Sequence, residues 1–208
     1  MHEAVKNLPL DVYTMLPSCV PATPFETSGF DLNSYDLSLL IDKPWVLGLA
    51  EMMNFPGVLN QDNNVMAKLE LAKSSGKCID GHAPYLHGKD LCAYIASGVK
   101  SDHECTTPDE AIEKLRLGMY VMIREGTAAK DLDALMPVLK TCNTRKCIFV
   151  TDDRHPADLK EHINGMVRRA VEAGVDPVKA VQIASLNTAE YFGLNNLGAV
   201  APLSLIHI

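Results

Sequence analysis

Apolar residues in this chain come in short continuous runs, each closed by a carboxylate or an imidazole, and stretches of helical periodicity separate them. The run at 45–50 ends at Glu51, Cys78-Ile79 leads to Asp80-Gly81-His82, 95–99 leads to Ser101-Asp102-His103, and 147–150 leads to Thr151-Asp152-Asp153. Runs of that length fit strands buried on both faces. Six strands are predicted, over residues 11–16, 45–50, 77–80, 99–102, 120–124 and 146–151.

Between them lie helix signals. Thr107-Pro108-Asp109-Glu110 reads as a capping box with proline at the first helical position, followed by Ala111, Ile112 and Leu115 on one face until Gly118. Val65, Leu69 and Ala72 recur before Gly76, and Leu91, Tyr94 and Ile95 before Gly98. Ile163, Met166, Val167, Ala170 and Val171 form a further stripe, and another helix opens at Asp176-Pro177.

Strands alternating with helices imply an α/β fold with parallel strands and right-handed crossovers. A TIM-like (β/α)8 barrel is favoured over an open doubly wound sheet. Ligand-type residues end four different strands here, whereas an open sheet gathers its site at one switch point.

Composition narrows the picture. With 47% hydrophobic and 22% charged residues the chain is ordinary for one soluble domain. At 208 residues it is short by two βα units of the roughly 250 such a barrel takes. A partial barrel over residues 1–202 is therefore expected. The net charge of −7 disfavours nucleic acid or an anionic membrane as partner. No signal peptide or spanning segment is visible. Cys19, Cys78, Cys92, Cys105, Cys142 and Cys147 show no CxxC spacing, which fits reduced thiols of a cytoplasmic protein.

His82 or His103 alone would be an ordinary structural or surface histidine. Two imidazoles with Glu51 and Asp152 at successive strand ends suit a divalent ion such as Zn²⁺, Mn²⁺ or Fe²⁺. Asp152-Asp153 also fits a helix N-terminus, with Pro156 early in the helix. The two readings are compatible, with Asp152 for the metal and Asp153 for the loop or substrate. Arg124 reads first as an ion pair at the rim and second as a substrate contact, Met52-Met53 as core packing, and His87 and His162 as surface residues on helices.

These segments, in order, carry a resemblance. The stretch 17–27 (Pro17-Ser18-Cys19-Val20-Pro21-Ala22-Thr23-Pro24-Phe25-Glu26-Thr27), Glu51-Met52-Met53-Asn54, Asp80-Gly81-His82-Ala83-Pro84, Ser101-Asp102-His103-Glu104, Arg124-Glu125-Gly126-Thr127-Ala128-Ala129-Lys130 and Thr151-Asp152-Asp153-Arg154-His155-Pro156 together resemble the adenine deaminase branch of the amidohydrolase superfamily.

The resemblance implies a distorted (β/α)8 barrel of which strands three to eight are present, and hydrolytic deamination of adenine to hypoxanthine and ammonia in purine salvage. It assigns Glu51, His82, His103 and Asp152 to the metal, Mn²⁺ in first place with Fe²⁺ or Zn²⁺ as alternatives, in a centre that is binuclear in the full-length family. Asp152 would shuttle the proton, His103 orient the attacking water, and Glu51 assist protonation at N1. Asp153, Glu104 and Arg124 would face the substrate, and the full-length protein would be a homo-oligomer.

Departures from the pattern matter equally. No His-x-His pair occurs, so the first strand's two ligands are missing. Residues 203–208, Leu203-Ser204-Leu205-Ile206-His207-Ile208, look like a non-native tail. The expectation is a piece of a longer enzyme with little or no activity alone. The alternatives are an amidohydrolase acting on another cyclic amidine or amide, and a non-catalytic partial barrel with exposed sheet edges.

Overall fold

The computed structural model describes residues 2–23 and 25–200, so the expected tail at 203–208 lies outside the described residues. The chain divides into two compact units, Met1–Ser101 and Asp102–Ile208.

In the first unit the order is α1 (His2–Val5), β1 (Thr14–Leu16), α2 (Ser34–Ser38), β2 (Val46–Met52), α3 (Phe55–Leu59), α4 (Asn63–Ser74), β3 (Cys78–Gly81) and α5 (Gly88–Ala96). The strands form one parallel sheet in sequence order. Strand β2 is the centre, with Met15 opposite Gly48 on one side and Leu49 opposite Ile79 on the other. Its apolar residues Val46, Leu49 and Met52 are buried, as the continuous run requires. Val65, Leu69 and Ala72 of α4 are buried too, which is the expected stripe at helical spacing.

The chain passes into the second unit through β4 (Ser101–Asp102), followed by α6 (Pro108–Arg116), β5 (Tyr120–Arg124), α7 (Leu132–Thr141), β6 (Cys147–Val150), α8 (Ile163–Glu172), α9 (Pro177–Ala184) and α10 (Leu186–Phe192). Strands β4, β5 and β6 again form a sheet in sequence order, with β5 and β6 parallel from Val121–Cys147 to Arg124–Val150. Val121, Ile123, Leu132, Leu135, Leu139, Phe149, Met166 and Ile183 build the core.

All six predicted strands exist, within a few residues at their ends. The fold is α/β with parallel strands, as expected. At Thr107 the capping differs from the motif. The hydroxyl accepts from Glu110 N, but the Glu110 carboxylate reaches Thr106 N at 3.3 Å and Lys114 Nζ at 2.8 Å. A buried cation draws the carboxylate inward. His87 and His162 are exposed, each at an N-cap position just outside its helix. Asp152-Asp153 precede a short 3₁₀ turn, Pro156–Asp158, capped by His155.

Candidate metal centre and its supports

Strand β2 delivers Glu51 and strand β3 delivers His82. Glu51 Oε2 lies 3.0 Å from His82 Nδ1. The neighbouring backbone is fixed from several sides. Ser18 Oγ donates to the Glu51 carbonyl, and the buried Lys68 ammonium donates to the Ser18 carbonyl at 2.8 Å. Burial pushes the Lys68 pKa down. Asn54 Oδ1 accepts from Gly57 N at 2.9 Å and so caps α3, which turns the chain just beyond Glu51. Tyr94, fully buried on α5, donates to the Met52 carbonyl at 2.8 Å and accepts from His82 N at 3.0 Å. Gly81 is needed for close approach, since a Cβ there would lie 2.1 Å from the Ser101 carbonyl oxygen.

The second unit holds a different arrangement. His103 Nε2 lies 3.2 Å from Glu104 Oε1, and the same oxygen accepts from Arg124 Nη1. Arg124 Nη1 also reaches Asp152 Oδ2 at 3.2 Å, while Nε donates to Asp131 Oδ2 at 2.7 Å. One planar guanidinium therefore serves three carboxylates. Its burial alone would lower the Arg124 pKa, but the bonds to Asp131 and Glu104 override that and leave it raised. Asp152 adopts φ 60°, in the left-handed region, and its Oδ1 accepts from Asp153 N at 2.7 Å. That short-range bond is what lets an aspartate hold such a conformation. Asp153 enters the loop through its backbone, its carbonyl accepting from Thr127 N at 2.9 Å.

Beneath the His103-Glu104 turn lies a buried ionic cluster. Asp102 Oδ2 accepts from Lys114 Nζ at 2.9 Å, from Glu104 N at 2.9 Å and from Cys105 Sγ at 3.4 Å. Lys114 also donates to Glu110 at 2.8 Å. Burial is the largest single influence on the Lys114 pKa and would lower it, yet the Asp102 charge together with Cys105 and the hydrogen bonds to Glu110 and Asp102 outweighs it and the value is raised.

The donor chemistry fits a divalent ion. Two donors about 2.1 Å from one ion stand roughly 3.0–3.4 Å apart between right-angled and tetrahedral geometry, and the Glu51–His82 separation of 3.0 Å meets that. His103, Glu104 and Asp152 also present donor atoms within 4.8 Å of one another. A third set, Asp102, Cys105 and Glu110, is equally close but already holds the Lys114 ammonium.

Of the residues expected from sequence, the structure thus brings together Glu51 with His82, and Arg124 with Glu104, His103 and Asp152. Ser18, Lys68, Tyr94, Asp131 and Lys114 were missed. Ser18 carries a sequence signal, since it lies within the stretch 17–27. Tyr94 reads only as one more apolar position, and nothing local marks Lys68, Asp131 or Lys114. Among the described residues, no helix is long and apolar enough to cross a membrane.

The chain is 54% identical over 97% of its length to an adenine deaminase of Desulfatibacillum aliphaticivorans, and 55% identical over 97% to one of Nitratidesulfovibrio vulgaris. It spans about a third of those relatives, 36% of each. A β-aspartyl dipeptidase of Fervidobacterium islandicum shares the fold with a TM-score of 0.57 at 15% identity, over 91% of this chain and 57% of that one. A metal-dependent hydrolase of Pyrococcus furiosus does so with a TM-score of 0.51 at 13% identity, over 92% and 48%. The sequence profile of the Amidohydrolase family matches residues 1–202, and to that family this chain belongs.

Proposed function

We propose that this chain forms part of an adenine deaminase, which hydrolyses adenine to hypoxanthine and ammonia in cytoplasmic purine salvage. The observation that carries the reading is 54–55% identity across 97% of the chain to proteins of that activity. The strand-end donors supply chemistry of the right kind. Glu51, His82, His103 and Asp152 are the proposed ligands of a divalent metal, Mn²⁺ in the first instance. The whole enzyme is proposed to be binuclear and homo-oligomeric.

When bound, such a metal supplies the Lewis acidity that makes water a nucleophile near neutral pH. Asp152 takes the proton released as the water oxygen bonds to C6 of the purine. It then returns that proton to the amine as the C6–N bond breaks. Arg124, held by Asp131 and Glu104, aims the Asp152 carboxylate. His103 orients the water, and Glu51 assists transfer of the water's second proton from the C6 hydroxyl to N1 as the carbonyl forms. Asp153 and Glu104 border the substrate.

The test is a graft. Residues 1–202 replace the matching segment of the Desulfatibacillum adenine deaminase, and ammonia release from adenine is followed with Mn²⁺ present. Activity near the parent's, lost in Glu51→Gln and Asp152→Asn, supports the reading. A folded, metal-loaded graft that turns over another cyclic amidine but not adenine overturns it.

A further inference from the structure

Strands β2 and β3 pair in parallel as far as Met52 opposite Gly81, with an irregularity in register between Leu49 and Met52. In a regular parallel ladder with that register, the next rung runs from the His82 N–H to the Met52 carbonyl. A phenol stands on that rung. His82 N donates to Tyr94 Oη at 3.0 Å, and Tyr94 Oη donates to Met52 O at 2.8 Å. A hydroxyl is suited to this because it donates and accepts through one atom.

His82 is itself on the rung and Glu51 directly precedes Met52, and the side chains of Glu51 and His82 meet at 3.0 Å. Tyr94 is fully buried, and its helix is anchored by Leu91, also fully buried. Gly81 leaves room for the insertion, since a Cβ there would crowd Tyr94 Oη at 3.1 Å.

We propose that Tyr94 is a positioning residue: its hydroxyl spaces the ends of β2 and β3 one oxygen apart and thereby sets how Glu51 and His82 present themselves to a divalent cation. This rests on the ligand role proposed above for those two residues. Removing the hydroxyl leaves two alternatives. Either the rung closes directly and draws the strand ends together, or the partly buried His82 N–H and the Met52 carbonyl lose the hydroxyl as a partner. Each displaces the two donors from their separation. Groups that orient metal ligands typically change affinity by about 10- to 100-fold when altered.

The experiment titrates the 208-residue chain with Mn²⁺ by calorimetry and with Co²⁺ by its d–d absorption. Wild type is compared with Tyr94→Phe, Glu51→Gln and Leu91→Ala, the last loosening α5 without touching the rung. Near-UV circular dichroism checks folding. The expected result is a roughly 10- to 100-fold loss of affinity in Tyr94→Phe with a shifted Co²⁺ spectrum. Leu91→Ala should keep the wild-type spectrum. Unchanged affinity and spectrum in Tyr94→Phe, an equal change in Leu91→Ala, or a Tyr94→Phe chain that does not fold would each overturn the positioning role.

If Glu51→Gln leaves metal binding untouched, the ligand reading fails instead. The spacer is then judged on the metal-free chain by the ¹⁵N shift of His82 Nδ1. A shift in Tyr94→Phe sustains it and an unchanged signal removes it.

Discussion

The buried cluster of Asp102, Glu110 and Lys114 makes a strong energetic statement about the second unit. Lys114 and Asp102 are fully buried and Glu110 is 3% exposed. Substituting Lys114→Met keeps most of the volume and removes the charge. Two carboxylates, within reach of one another through the same ammonium at 2.9 and 2.8 Å, then lose their counter-ion inside the protein. Breaking a buried pair in this way costs about 3–5 kcal/mol, because desolvation of the remaining charge is no longer offset. The loss should be lower when Glu110→Leu is added, since one of the stranded carboxylates has gone. Coupling between the two sites then appears as non-additivity of order 1 kcal/mol or more.

Urea unfolding followed by far-UV circular dichroism measures both. The pH dependence gives an independent sign. Lys114 is raised above the ordinary lysine value, so its contribution is fully present below about pH 10.5 and is lost as pH rises through the higher folded value. Wild type should therefore lose stability at alkaline pH through a step that Lys114→Met lacks. A loss below about 1 kcal/mol in Lys114→Met would refute the reasoning, since it would mean that the carboxylates were hydrated or already neutral.

Three further outcomes are expected. Gly81→Ala should destabilise the first unit by about 1–3 kcal/mol in thermal melts, because its Cβ would lie 2.1 Å from Ser101 O and 2.7 Å from Val99 Cγ1, while Gly29→Ala, with nothing within 4 Å, should be silent. Arg124→Lys keeps the charge but loses the fork that serves Glu104, Asp131 and Asp152, and should cost about 1–3 kcal/mol in urea; equal stability would show that charge alone suffices. With a disulfide thiol reagent at about pH 8, exposed Cys92 should react at once. Cys78 and Cys147, buried and with thiols pushed up to about 12, should react only on unfolding.

The strand positions were legible because a buried parallel strand needs no context beyond its own apolar run, as at residues 120–124, where expectation and structure coincide as Tyr120–Arg124. Helices with clean signals were legible for a similar reason: Asp176 caps α9 with Pro177 at its start, just as its local sequence indicates. Helix α7 was not anticipated. Pro137 interrupts its pattern and removes one backbone donor, yet Leu132, Leu135, Met136, Val138 and Leu139 are all buried. Tertiary packing outweighs the local penalty there.

The sequence by itself determined which side chains of ligand type stand at strand ends. Strand ends in a parallel α/β fold gather ligands irrespective of loop detail, so Glu51, His82, His103 and Asp152 stood out by type and place. It also marked Arg124 as an ion-pair residue. Only the tertiary structure decided what those side chains touch. Glu51 meets His82 across 31 positions, Arg124 gathers Asp131 and Asp152 from two different loops, and Lys68 reaches Ser18 across 50 positions. Tyr94 shows the same division most plainly. In sequence it is one apolar position in a helical stripe, and its hydroxyl acquires a role only when two strands are laid side by side with their last rung open. Hydrophobic pattern is a local, periodic property of the chain, whereas a hydrogen-bond partner is chosen by which groups packing leaves unpaired.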